Sequence, residues 1–391
     1  MNDPETTPAG AVAPATEPDL IAVPRLVYVD QLRALAALYV AVFHALLVIW
    51  PAGGPDAPWY LQWANHGHFG VTAFIVLSGF SLALKPAVRA KRTAGNYWRF
   101  MWKRSLRMLP PYWVALTGSI ILLYLAPANV ARGSSGGVGG EWTGKGPVPF
   151  RSVVAFFLLV HDMFKVPSPN SPLWSIAVEW HLYFVFPVLL FIGCRFGMRW
   201  MVGGSAVAGL GLHYALWNTS AAATTPHFLT LFAIGIATAY ALGSFVRGVD
   251  PPRWNPAVNG WILIAASFVS FMLLKRLELA ADLVAGTIFA IGVYVLGQRE
   301  ESIAELADRS PRAVGGRALM KIGLFSYSLY LVHSPSEKIV WHFVVGPLGL
   351  NPTVAFFLLV ATGIVASLIA AFALYLIIER RSMAWSRRVR V

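Results

Sequence analysis

The sequence predicts an all-α integral membrane bundle of about ten transmembrane helices plus one re-entrant or interfacial segment. Three observations carry this expectation. Hydrophobic residues make up 57% of the chain and charged residues only 13%, about half the charged share of a soluble domain. Apolar runs close to the roughly 20 residues that cross a bilayer recur along the chain. The net charge is +13, and the cations collect in alternate connections between those runs, as the positive-inside bias requires. Membrane topology therefore explains the excess of Lys and Arg, and nucleic acid is not an expected partner.

Residues 1–24, rich in Pro, Ala and Thr and carrying Asp3 and Glu5, lack the basic and apolar regions of a signal peptide. They read as a disordered cytoplasmic tail. Ten runs then read as spans: 27–50, 68–86, 110–127, 173–194, 200–217, 227–246, 258–275, 280–297, 321–344 and 352–378. An eleventh run, 151–164, is shorter and is followed by Pro167, Pro169 and Pro172. If it crossed, the cluster Arg380 to Arg390 would lie outside, against the charge bias. It therefore reads as re-entrant or interfacial, with both termini cytoplasmic in the cell (inner) membrane. The Gly-rich loop 128–150 falls outside, the charged loop 298–320 inside, and 383–391 forms a basic cytoplasmic tail. Residues 25–382 are then one transmembrane domain. The single cysteine, Cys194, excludes an internal disulfide and a cysteine-based metal cluster, and reads as a packed thiol.

Ionisable residues inside spans cost about 3 kcal/mol each on insertion scales, so they mark cavities or partners. In the first span, Arg33 and His44 stand eleven residues apart, on one helix face and about 16 Å apart along the axis. This puts a cation at the cytoplasmic mouth and a titratable imidazole deep in the bundle. Asp30 is spaced to pair with Arg33. A structural ion pair with a hydrogen-bonded core histidine is an equally good reading of this pattern. In the second span, Ser78-Gly79 permits close helix approach. Ahead of the third, a basic stretch is interleaved with Tyr97, Trp98, Phe100 and Trp102, and Arg104 and Arg107 fall at i, i+3. Two guanidiniums on one face suit phosphate, and an interfacial helix on anionic lipid explains them equally well. Glu179 and His181 sit at the outer entry to the next span, where a carboxylate needs water or a cation. Glu179 is favoured as the functional member of the two. Ser326, Tyr330, His333 and Glu337 share a face in the span that follows loop 298–320, with His333 near mid-membrane. The histidines lack paired metal-ligand spacing, so no metal is expected.

Together these pieces resemble membrane-bound acyltransferase family 3. The resemblance rests on Arg33 and His44 with ten residues between them; FIVLSGF, residues 74–80; Arg104 and Arg107 followed by Pro110; LWSIAVEWHLYFVFP, residues 173–187; GLFSYSLYLVH, residues 323–333; and Glu379-Arg380-Arg381. It covers about residues 26–382. Trp180 and His181 depart from the pattern where a second polar residue after Glu179 is usual. The resemblance implies transfer of a short acyl group, most often acetyl, from acyl-CoA to a hydroxyl, often on a cell-envelope or exported saccharide. It also implies a stand-alone membrane module here. On that reading Arg33, Arg104 and Arg107 hold the donor, acyl-CoA. His44 serves as general base or as transient acyl carrier. Glu179 binds the sugar or orients the histidine, and His333 is a second proton-transfer candidate. A proton-coupled transporter or flippase, with Arg33, His44 and Glu179 as a proton relay, is the alternative.

Overall fold

The computed structural model describes residues 26–51, 56–90, 95–125, 148–164, 166–249, 259–299 and 314–389. The tail 1–24 and most of loops 128–150 and 298–320 lie outside the described residues. The described chain forms α1 (Val27–Ile49), α2 (His68–Val88), α3 (Tyr97–Leu125), α4 (Phe150–Phe157), α5 (Trp174–Phe196), α6 (Met198–Leu216) and α7 (Phe228–Val246). After these come α8 (Gly260–Leu274), α9 (Glu278–Gly297), α10 (Val314–Leu324), α11 (Ser326–Val340), α12 (Pro352–Leu374) and α13 (Arg380–Arg388).

Seven helical segments among the described residues are long and apolar enough to cross a bilayer, and Gly260–Leu274 is a shorter apolar helix. Large apolar side chains such as Val207, Leu273, Phe357 and Ile369 point outward, as lipid-facing surface does. The protein is a multi-pass helical membrane protein. The eight-residue α4 rises about 12 Å, well short of the roughly 30 Å hydrocarbon core, and the chain leaves it through irregular structure.

Helix ends mostly fall within two residues of the apolar runs, and three differences matter for the site. First, the basic stretch and the third span are one 29-residue helix, α3, with Pro110 and Pro111 inside it. Arg104 and Arg107 are thus fixed to a spanning helix rather than to a separate surface helix. Second, run 321–344 is broken at Phe325 between α10 and α11. The break lies where Gly323 touches the Asp30 backbone, leaving no room for a Cβ. Third, α12 passes through a π turn, Tyr375–Glu379, directly into α13, which packs on α3 through Ser386 Oγ donating to Lys103 O at 2.9 Å. What reads as a basic tail therefore continues as helix to Arg388.

Helices α1 and α2 run antiparallel. Arg33 near the start of α1 donates to Ser81 Oγ at 2.7 Å, while Phe43 near its end packs on Gly67, just before α2. Helix α2 also lies tightly along α7. A Cβ at Gly79 would collide with Phe232 O, and one at Gly235 with Val76 O. Small residues let helix backbones meet in this way inside a bilayer. This contact fixes Ser78, the neighbour of Gly79, with its side chain toward the site.

Candidate active site

A cavity of about 1100 Å³, including its open mouth, runs between α2, α3, α5 and α11. Along α2 its wall extends from Val71 to Leu82, about 16 Å of helix. Arg33, Arg104, Arg107 and Glu179 all line it, together with Ser78, Ser81, Tyr183, Tyr327, Tyr330 and Glu379. The three arginines lie on two helices that are distant in sequence, so the clustering is a product of packing.

Each cation is held differently. Arg33 reaches Ser81 and stands 3.7 Å from Asp30. The Arg104 guanidinium lies over the rings of Phe100 and Tyr183, at 5.6 and 5.9 Å, and its Nε–H is buried without a hydrogen-bond partner. Arg107 is exposed at the mouth. A buried donor left unmade costs about 1–3 kcal/mol or more when charged, so Arg104 is poised for an anionic oxygen. Three guanidiniums in one cleft match the bidentate geometry of phosphate.

The structure corrects the expected position of Glu179. The sequence puts it at the far entry of its span, yet it shares the arginine cavity. Its Oε1 accepts from Ser78 Oγ and from Tyr183 OH, both at 2.6 Å. The cause lies just upstream. Asn170 Nδ2 donates to Leu331 O at 3.0 Å and to Ser119 Oγ at 3.2 Å, and Ser171–Leu173 is a buried 3₁₀ turn. Helix α5 therefore starts inside the bundle, and a residue one turn along it lies deep. His181 points away, with Nδ1 3.2 Å from Asp162 Oδ2. Trp180, too, takes no part in the cavity wall.

His44 and His333 meet across α1 and α11. His333 Nε2 lies 3.2 Å from His44 Nδ1, with ring centroids 4.9 Å apart. His333 is fully buried and His44 9% exposed. His44 Nδ1 is 2.9 Å from Val40 O, and His333 Nδ1 is 2.9 Å from Tyr330 O. A carbonyl only accepts, so each neutral ring carries its proton on Nδ1. The one Nδ1–H of His44 is then shared between Val40 O and His333 Nε2, and His44 Nε2 is left with a free lone pair. The pair lies just beyond the cavity wall. Tyr330 stands between, its ring 5.6 Å from the His333 ring and its hydroxyl 2.7 Å from Ser175 Oγ.

Sequence reasoning missed two features. One is Glu379, which belongs to the closing motif but is aimed into the cavity by the π turn. It accepts from Ser328 Oγ at 2.5 Å and Ser328 N at 3.3 Å, which satisfies an otherwise unpaired N–H at the start of α11. Insertions of this kind often occur at functional sites. The other is Asp282, the lone carboxylate of the run 280–297. It is 1% exposed and accepts from His68 Nε2 at 3.0 Å, His227 Nε2 at 2.9 Å and Thr72 Oγ1 at 2.5 Å. A single acid in an apolar run was the available signal. Among the described residues no group of three or more His, Cys, Asp or Glu could hold a metal ion.

Comparison with known proteins settles the family. A family model described as an acyltransferase domain matches residues 26–376. The chain belongs to acyltransferase family 3. Curated relatives include the peptidoglycan O-acetyltransferase OatA of Listeria monocytogenes, 25% identical over 49% of this chain and 28% of that protein. A Staphylococcus aureus protein named "Putative O-acetyltransferase" is 24% identical over 81% of this chain and 50% of its own length. A Bacillus subtilis protein named "Putative peptidoglycan O-acetyltransferase" is 28% identical over 42% of this chain and 23% of its own length. The chain thus spans half or less of the curated relatives it matches. No solved structure matches it significantly. The family match speaks for an acyltransferase domain and gives the transporter alternative no support.

Proposed function

We propose that this acyltransferase carries a short acyl group, acetyl in the first instance, from acyl-CoA to a hydroxyl of a cell-envelope saccharide such as peptidoglycan. The observation that carries the reading is the convergence of Arg33, Arg104 and Arg107 on one cavity whose far wall, Tyr330, adjoins the His333–His44 pair. The bundle sits in the cell membrane with about ten spans and both termini cytoplasmic, so the arginine mouth faces the compartment where acyl-CoA is made.

The CoA phosphates bind Arg104 and Arg107, with Arg33 deeper. The unpartnered Nε–H of Arg104 is the strongest support for an anion there. The pantetheine arm then runs along α2 toward Ser78 and Glu179, and a turn of the Tyr330 side chain opens the way to the histidines. The free Nε2 of His44 takes the proton of the acceptor hydroxyl as the oxygen attacks the thioester carbonyl. The same proton passes to the departing thiolate, so the reaction is balanced without an external acid. His333 accepts a hydrogen bond from His44 Nδ1–H and supports the imidazolium as it forms. General-base catalysis of this kind contributes roughly 10²–10⁴-fold. Glu179, already held by Ser78 and Tyr183, sets the dipoles around the reacting arm.

The test is transfer by the purified protein in lipid nanodiscs, with [¹⁴C]acetyl-CoA as donor and a soluble peptidoglycan disaccharide as acceptor. Label on the saccharide is the expected result. Label that never leaves the CoA in the presence of acceptor would refute the reading.

A further inference from the structure

Helix α2 carries a second polar site at its other end. His68, its first residue, lies thirteen residues from Ser81, about 20 Å along the helix from the arginine mouth. The His68 side chain is 39% exposed although its partner, Asp282, is 1% exposed. Asp282 is in turn fixed by His227 and Thr72, so the imidazole orientation is set from three directions. The His68 ring stacks on Trp174 with centroids 5.7 Å apart and planes 11° apart, and on Phe271 at 6.2 Å and 24°. The site adjoins the far end of the cavity, because Val71 and Ser175, which line that end, are close in sequence to His68 and Trp174.

Burial makes a purely structural role expensive here. The buried Asp282 carboxylate and His227 imidazole cost desolvation that replacement by apolar side chains would avoid. A buried carboxylate that orients a partly exposed imidazole is, instead, an arrangement that fixes which ring nitrogen faces a ligand. Asp282 takes the Nε2–H, so Nδ1 is the nitrogen left for a ligand. A hydroxyl can both donate and accept, and so satisfies that nitrogen whether or not it is protonated. The surroundings select further. The carboxylate is already matched by two imidazoles, so the site offers no strong charge to an anionic donor. Half-buried Trp174 beside His68 instead offers an apolar surface to a ring. The segment Trp59–Asn65, immediately before α2, adds exposed Trp59, Tyr60 and Trp63 at the same end. Pockets that combine aromatic walls with a few fixed polar groups are typical of small neutral ligands.

We infer that His68, oriented by Asp282 and flanked by Trp174, forms the subsite that binds the saccharide acceptor, on the opposite end of α2 from the donor arginines. The choice of a saccharide rests on the acyltransferase reading. Equilibrium binding separates the two ideas, because each ligand can be titrated alone. The probes are the N-acetylglucosamine–N-acetylmuramic acid disaccharide and acetyl-CoA, added singly to nanodisc-embedded protein. His68→Ala and Trp174→Ala are expected to raise the disaccharide Kd about tenfold, a single good contact, and to leave the acetyl-CoA Kd within about twofold. Thr72→Val, which only loosens Asp282, is expected to raise the disaccharide Kd by less, and it serves if Asp282→Asn fails to fold. An unchanged disaccharide Kd in both His68→Ala and Trp174→Ala would overturn the inference. So would a parallel rise in both Kd values, which marks a structural cluster, or no disaccharide binding by the wild type. Failure of the wild type to bind acetyl-CoA would count against the donor reading, while the disaccharide titration would still decide the subsite.

Discussion

The two ends of α2 differ in chemistry while sharing one helix. At the Ser81 end three guanidiniums face two carboxylates across an open cavity, and one guanidinium nitrogen has no partner. At the His68 end a single carboxylate is fully engaged by two imidazoles and a hydroxyl, and the walls are aromatic. The first end is cationic with an unmade donor at Arg104 Nε, as the proposed donor site requires. The second is internally neutralised and flat, suited to an uncharged ring. Level with the His68 end, where Phe43 packs on Gly67, α1 presents His44. The difference teaches that one helix can carry two unlike chemistries some 20 Å apart, which is the separation the proposed donor and acceptor sites require.

Substitutions can break this division or sharpen it. The largest effect belongs to the α1 histidine: His44→Ala lowers kcat by roughly 10²–10⁴-fold, read by initial-rate transfer assays. Next comes the cationic end. Arg104→Ala with Arg107→Ala raises the acetyl-CoA KM by at least about tenfold, since each charge-assisted hydrogen bond contributes about 1.5–3 kcal/mol. The saccharide KM stays as it was; if both rise together, the ends are not independent. His333→Leu removes one of the two acceptors of His44 Nδ1–H, leaving Val40 O, and lowers kcat by about tenfold with both KM values little changed, which steady-state kinetics with each substrate varied will show. Smallest is Ser81→Ala. It releases Arg33 from one hydrogen bond worth about 1 kcal/mol, so the acetyl-CoA KM rises by about fivefold or less.

The membrane class and most helix positions were legible because lipid imposes one coarse rule, about 20 apolar residues per span. Helical spacing puts Arg33 and His44 on one face, yet of the two only Arg33 lines the cavity. Glu179 was misplaced because its depth depends on Asn170 bonding to Leu331 and Ser119, a tertiary contact with no local pattern. The break at Phe325 escaped for the same reason, lying where Gly323 meets the Asp30 backbone far away in sequence. The division of the basic stretch from α3 failed because two adjacent prolines suggest an end, while the helix runs on through Pro110 and Pro111. His68 and His227 looked like span ends. Only folding brings them to Asp282, although that lone acid in an apolar run was itself a visible sign.

The central claim is that His44 performs chemistry on a donor held elsewhere. Its most direct test measures acetyl-CoA binding and acetyl transfer on the same preparation of His44→Ala. Donor affinity within about twofold of wild type, with transfer reduced by at least about a hundredfold, is the predicted result. Transfer at the wild-type rate with the donor still bound would contradict it.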